Sequence, residues 1–69
     1  MRDGSGSNDF EISVEVLVEG RNAIKVLTEH GDEAWIPHSQ IRQGSDVESS
    51  GDEGVLIIPM WLARKEGWA

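Results

Sequence analysis

No cysteine occurs in this chain, so neither a disulfide nor a thiolate-bound metal can staple it. Basic residues are scarce: 6 Lys and Arg stand against 13 Asp and Glu, for a net charge of −7. Such a field repels a phosphate backbone or an anionic membrane unless the cations gather on one face. Direct nucleic-acid binding is disfavoured on that ground, and a basic protein partner is favoured. The plainer alternative is that the acids keep a small protein soluble. No run approaches the roughly 20 apolar residues of a membrane-spanning helix. No charged-then-apolar amino-terminal region resembles a secretion signal. The expectation is a cytoplasmic protein with no membrane role. Aromatic residues are few, and three of the four are tryptophan: Trp35, Trp61, Trp68 and Phe10. Each can bury a large area, so core or interface positions are expected for them.

What remains is 69 residues, one domain. A chain of this length buries only about 60% of the surface it exposes when unfolded. Stability has to come from a small apolar core, helped by any self-association; a homodimer that pairs open sheet edges fits this need. The first eight residues, M-R-D-G-S-G-S-N, are polar and rich in Gly and Ser. They read as a flexible tail, 1–8, ahead of a single domain, 9–69.

Residues 10–19 show strict period-two alternation. Phe10, Ile12, Val14, Val16 and Val18 share one face, and Glu11, Ser13, Glu15, Leu17 and Glu19 the other. The β-branched residues on the apolar face favour a strand. The opposite face presents Glu11, Glu15 and Glu19 in a row, either as a solvated face that guards against edge pairing or as an acidic ridge for a basic partner. A turn at 20–22 leads to a second strand, 23–29, with both faces partly apolar, as in a central strand or a closed barrel. His30-Gly31-Asp32 is a hairpin turn, and 33–36 a third strand carrying Trp35. Pro37 has no N–H and ends the ladder. His38-Ser39-Gln40 makes a polar turn or one turn of 3₁₀ helix, and Ile41 returns toward the core.

Residues 43–54 are rich in Ser, Gly and acid and read as a mobile acidic loop carrying Asp46, Glu48, Asp52 and Glu53. A buried fourth strand is expected at 55–58. Pro59 then stands at the first position of a short helix, 60–66, with Arg64 and Lys65 at the end where the dipole favours cations and Gly67 as terminator. Leu62, with either Met60 or Trp61, should point inward.

Candidate chemistry is thin. The acidic loop lacks the alternate-position oxygens and closing glutamate of a calcium loop. His30 and His38 with loose carboxylates are not a zinc set. His38 beside Ser39 has no orienting acid or oxyanion element. No metal, no cofactor and no enzymatic activity are therefore expected. Trp35 is the residue to watch: it is either the lid of the core or a stacking and contact surface.

The stretch A-I-K-V-L-T-E-H-G-D-E-A-W-I-P-H-S-Q-I, followed by I-I-P-M-W-L-A-R-K-E-G, resembles a family of small phage, prophage and bacterial proteins of no assigned activity. They carry a strand ending W-[I/L]-P-x-S-Q-[I/V] and a closing P-x-W-L-A helix. The resemblance spans about residues 23–67 and implies a phage-linked origin. The segment W-I-P-H-S-Q-I is also similar to the end of strand three in OB-type RNA-binding domains, whose usual aromatic pair and basic surface this chain lacks.

The fold expected is mainly β: a small antiparallel β-barrel or bent sheet, SH3-like or OB-like, with a short carboxyl-terminal helix. The function expected is non-enzymatic. A phage or mobile-element protein would bind and inhibit a basic, nucleic-acid-binding host protein, such as a CRISPR effector, as anti-CRISPR proteins and DNA mimics do. Its contacts would be Glu11, Glu15, Glu19, Asp46, Glu48, Asp52, Glu53 and Trp35. Two alternatives stand beside it: a single-stranded nucleic-acid-binding module using Trp35 with Lys25, Arg21 and Arg42, and a structural accessory subunit whose partner covers Trp61 or Trp68.

Overall fold

A computed structural model of the chain describes residues 9–69; the segment read as a tail lies outside them. Strand β1 spans Asp9–Glu19, β2 Ala23–Thr28, β3 Glu33–Pro37 and β4 Glu53–Pro59, and helix α1 spans Met60–Lys65. One 3₁₀ turn, His38–Gln40, follows β3. The four strands form one antiparallel sheet in the order β3-β2-β1-β4. The sheet is open, which sets aside the barrel alternative. Its two edge strands cannot meet because the outward edge of β4 is already occupied.

The occupant is the acidic segment itself. Arg42 N donates to Ile57 O at 2.7 Å, and Asp46 N to Val55 O at 2.8 Å. In return Ile57 N donates to Ser45 Oγ at 2.9 Å and Val55 N to Asp46 Oδ2 at 3.3 Å. Side-chain oxygens thus stand in for the carbonyls of a missing neighbour strand and satisfy the edge of β4. Val47, only 1% exposed, drops from this segment into the core. The stretch expected as a mobile loop over 43–54 is therefore stitched to the sheet, and its last two residues, Glu53 and Gly54, belong to β4. Gly54 lets the segment approach closely: a β-carbon there would stand 2.7 Å from Asp46 Cβ.

The core lies between one face of the sheet, α1 and Val47. The sheet contributes Val14, Val16, Ile24, Val26, Ala34, Ile36, Leu56 and Ile58, and the helix Leu62 and Ala63. Phe10, Ile12, Ile41 and Trp68 pack around the margin. β2 is central, as its two partly apolar faces imply. Its buried Thr28 accepts from His30 N and Asp32 N through Oγ1, at 3.2 and 3.1 Å, and so ties the β2–β3 turn.

Three details depart from the sequence expectation. β1 carries a β-bulge between Val16 and Val18, so that Val16 pairs with Val26 but Val18 pairs with Lys25. The extra residue moves Val18 to the outer face, where it is 44% exposed. In α1 the inward pair is Leu62 and Ala63, while Trp61 is 57% exposed. Pro59, expected as the first helical residue, is the N-cap, with extended backbone that closes β4. The helix ends as its sequence suggests. Gly67 takes φ +82, its N–H donates to Arg64 O at 3.1 Å, and Trp68 N donates to Ala63 O at 2.8 Å. This Schellman arrangement folds the chain back and seats Trp68 against the core.

Candidate protein-binding surface

The outer face of the sheet is built by register. Glu33 on β3 pairs with Leu27 on β2, Leu27 with Glu15 on β1, and Glu15 with Glu53 on β4. One row across the whole sheet thus reads Glu-Leu-Glu-Glu, with Glu15 and Glu53 directly opposite each other. Residues so opposed have β-carbons about 4.5–5.5 Å apart, and like charges there destabilise the pairing. The neighbouring row reads Trp35, Lys25 and Val18. Trp35 is 51% exposed on this face, so it is not the lid of the core. Toward the start of β1, Glu11 stands opposite Ile57.

Two of the cations near this face are already paired, and Lys25 pairs within the face itself, with Glu33 of the acidic row. Lys25 Nζ lies 3.1 Å from Glu33 Oε1, and Arg42 Nε 3.4 Å from Asp9 Oδ1. Among the described residues no cation stands within ion-pair distance of Glu11, Glu15 or Glu53. Lys25 and Arg42 are thus not free cations beside Trp35.

The sequence-derived site residues divide three ways. Glu11, Glu15, Glu53 and Trp35 share the outer face. Glu19 does not: beyond the bulge it pairs with the buried Ile24 and sits on the core side at the end of β1. The single ridge Glu11–Glu15–Glu19 is corrected to a patch in which Glu33 and Glu53 replace Glu19. Asp46 and Asp52 serve the backbone. Asp52 Oδ2 accepts from Glu48 N at 3.0 Å and Ser49 N at 2.9 Å. These two bonds hold its carboxyl below the ordinary aspartate range. Glu48 is exposed in the same turn. Sequence reasoning missed Glu33 and Val18. For Glu33 the signal was its shared parity with Trp35; for Val18 there was none short of the bulge.

Of the histidines, His30 is exposed, while His38 is half-buried with Nε2 2.9 Å from Gly20 O. Among the described residues no three His, Asp or Glu side chains are grouped to hold a metal ion, and no helix is long and apolar enough to cross a membrane. Comparison with protein-family models, curated proteins and solved structures finds no match to this chain.

Proposed function

We propose that the chain is a non-enzymatic protein-binding module. Its outer sheet face docks a basic, nucleic-acid-binding surface on a partner and occludes it, as phage-encoded inhibitors and DNA mimics do. The observation that carries this reading is the pair Glu15 and Glu53, held in direct opposition on the outer face with no cation of their own among the described residues. A sheet face that needed only solvation would be served by neutral polar side chains without the repulsion. Trp35 and Val18 supply exposed apolar contact beside the charges, and a tryptophan ringed by polar groups is a common energetic centre of an interface.

The test is retention of a host protein on immobilised chain, with duplex DNA and salt as competitors. Retention should be lost when duplex DNA is added and when ionic strength is raised, because occupancy of a nucleic-acid surface is both exclusive and screened. The triple variant Glu11→Lys, Glu15→Lys, Glu53→Lys should retain nothing while keeping its fold by circular dichroism. Undiminished retention by that variant overturns the reading. So does micromolar quenching of the wild-type chain by single-stranded oligonucleotide that disappears in Trp35→Phe, which would make the chain a nucleic-acid binder.

A further inference from the structure

β1 runs on past the end of β2. Its last pair with β2 is Val14 with Thr28, and residues 9–13 pair with β4 alone. Among the described residues the strand's second edge is therefore open over that stretch. The direction of its peptide groups follows from the ladder. Val16 N donates to Asp52 O and Val16 O accepts from Gly51 N, so the even-numbered groups of this half face β4. By the alternation of an antiparallel strand, Glu11 and Ser13 face the other way, into the space β2 vacates. Among the described residues Glu11 N–H, Glu11 C=O and Ser13 N–H have no backbone partner on that side.

That space is a cavity of about 420 Å³. It takes Phe10, Ile12 and Trp68 from the core margin, Glu11 from the outer side of β1, and Glu29 and Asp32 from the β2–β3 turn. One wall is apolar, the other carries three carboxylates with His30, Ser13 and Val55 among them, and between them runs a strand edge with no backbone partner among the described residues. Residues of both faces of β1 line it because it opens at an edge rather than on a face.

We infer that this gap receives an extended segment of a partner protein, alternating aliphatic with Lys or Arg residues, added as a strand antiparallel to β1. The inference rests on the reading of the chain as a binder of basic proteins and gives that reading its mode of contact. The open edge requires an extended backbone. The carboxylates Glu11, Glu29 and Asp32, on a chain of net charge −7, set the sign of the guest. The two walls set its period: a residue opposite Glu11 turns its side chain to the acidic side and its own N–H toward β1. The cationic residues of the guest, not the aliphatic ones, therefore carry the edge hydrogen bonds. The free edge of β3 is deprived of a donor by Pro37.

The probe is the capped peptide Lys-Val-Lys-Val-Lys-Val, titrated into the full chain by NMR with amide hydrogen exchange. Glu11 and Ser13 amides should gain protection. N-methylation of the Lys amides should weaken binding by at least about tenfold, since each lost hydrogen bond weakens affinity severalfold. N-methylation of the Val amides should leave it within about threefold. Equal effects of the two methylation patterns, protection at Glu33 and Trp35 instead, absence of peptide binding, or protection of Glu11 by self-association without peptide would each overturn the inference. Where the peptide fails but the host protein is still retained and lost in the triple lysine variant, the acidic-face reading survives and only the strand-addition mode falls. Where both fail, both fall.

Discussion

Replacing Glu53 with lysine should make this protein more stable while removing part of its binding surface. Glu53 stands directly across β1–β4 from Glu15. Their β-carbons are held about 5 Å apart, and flexible stems let the carboxylates splay somewhat farther. At about 6 Å in a water-like medium the repulsion is roughly 0.7 kcal/mol, and physiological salt trims it. Glu15 is half-buried, which raises the local interaction again. A net penalty of about 0.5 kcal/mol is a fair working value, inside the range for cross-strand pairs. Glu53→Gln removes that penalty. Glu53→Lys turns it into attraction, for a total of about 1 kcal/mol. Glutamate and lysine have similarly poor strand propensity, so the comparison is not confounded by it. In a domain of this size about 1 kcal/mol raises Tm by roughly 4–8 °C. Thermal denaturation followed by circular dichroism, at about 0.01 M and about 1 M salt, measures it. The Debye length falls from about 30 to about 3 Å between those conditions, so most of the gain should vanish at high salt. A lysine variant that is no more stable than wild type, or a gain that salt does not touch, refutes the claim that the two carboxylates oppose each other to the fold's detriment.

Val47→Ala should destabilise the fold by about 2 kcal/mol, from lost burial and the space left behind, read as a shift in the urea midpoint; Val47 is only 1% exposed. Were the acidic segment unattached, the change would be silent. Gly54→Ala drives a β-carbon to 2.7 Å from Asp46 Cβ and should lower stability by about 1–3 kcal/mol as the segment is pushed off the edge of β4, with faster amide exchange at Val55 and Ile57. The lowered carboxyl of Asp52 contributes stability that is fully present above the ordinary aspartate value of 3.8 and is lost as pH falls through its folded value. Wild type should therefore shed this part of its stability on acidification below pH about 4, whereas Asp52→Ala should lose less over the same interval. Parallel acid profiles for the two chains would contradict it.

The first half of β1 was legible residue by residue: its alternation fixes Phe10, Ile12, Val14 and Val16 inward and Glu11 and Glu15 outward. It stopped being legible at Leu17, where a bulge shifts the register between β1 and β2. Val16 is bonded to Gly51 and Asp52, and period-two reading has no term for that. Glu19 was misplaced for this reason alone. The acidic segment was misread because its composition resembles disorder, while its single apolar residue, Val47, holds it to the core. Nor does composition reveal that Ser45 and Asp46 side chains act as edge acceptors. Trp35 could be read either way from its own neighbours. Its parity with Glu33, against Ala34 and Ile36, already put it with the charges. The opposition of Glu15 and Glu53 needs the register between strands separated by most of the chain.

Edge protection accounts for some of these acids and not for others, and the difference separates the two readings of the charge. A charged side chain on an edge strand discourages pairing with a second sheet, and Glu33 on β3 fits that role, with Lys25 beside it to neutralise it. β4 is the other edge strand; Arg42, Ser45 and Asp46 fill its outward edge at Val55 and Ile57, which leaves only the start of β4, at Glu53, for a charge to guard. β1 is interior, and Glu15 guards nothing. Solubility does not require these positions either, since exposed acids are plentiful in the turns. Two carboxylates set against each other in the middle of a sheet face, with no cation of their own among the described residues, are relieved by dissolved salt and would be relieved more fully by a positive surface laid over them. A chain that gains stability on Glu53→Lys and loses its partner by the same change would show that repulsion and recognition come from one pair of residues.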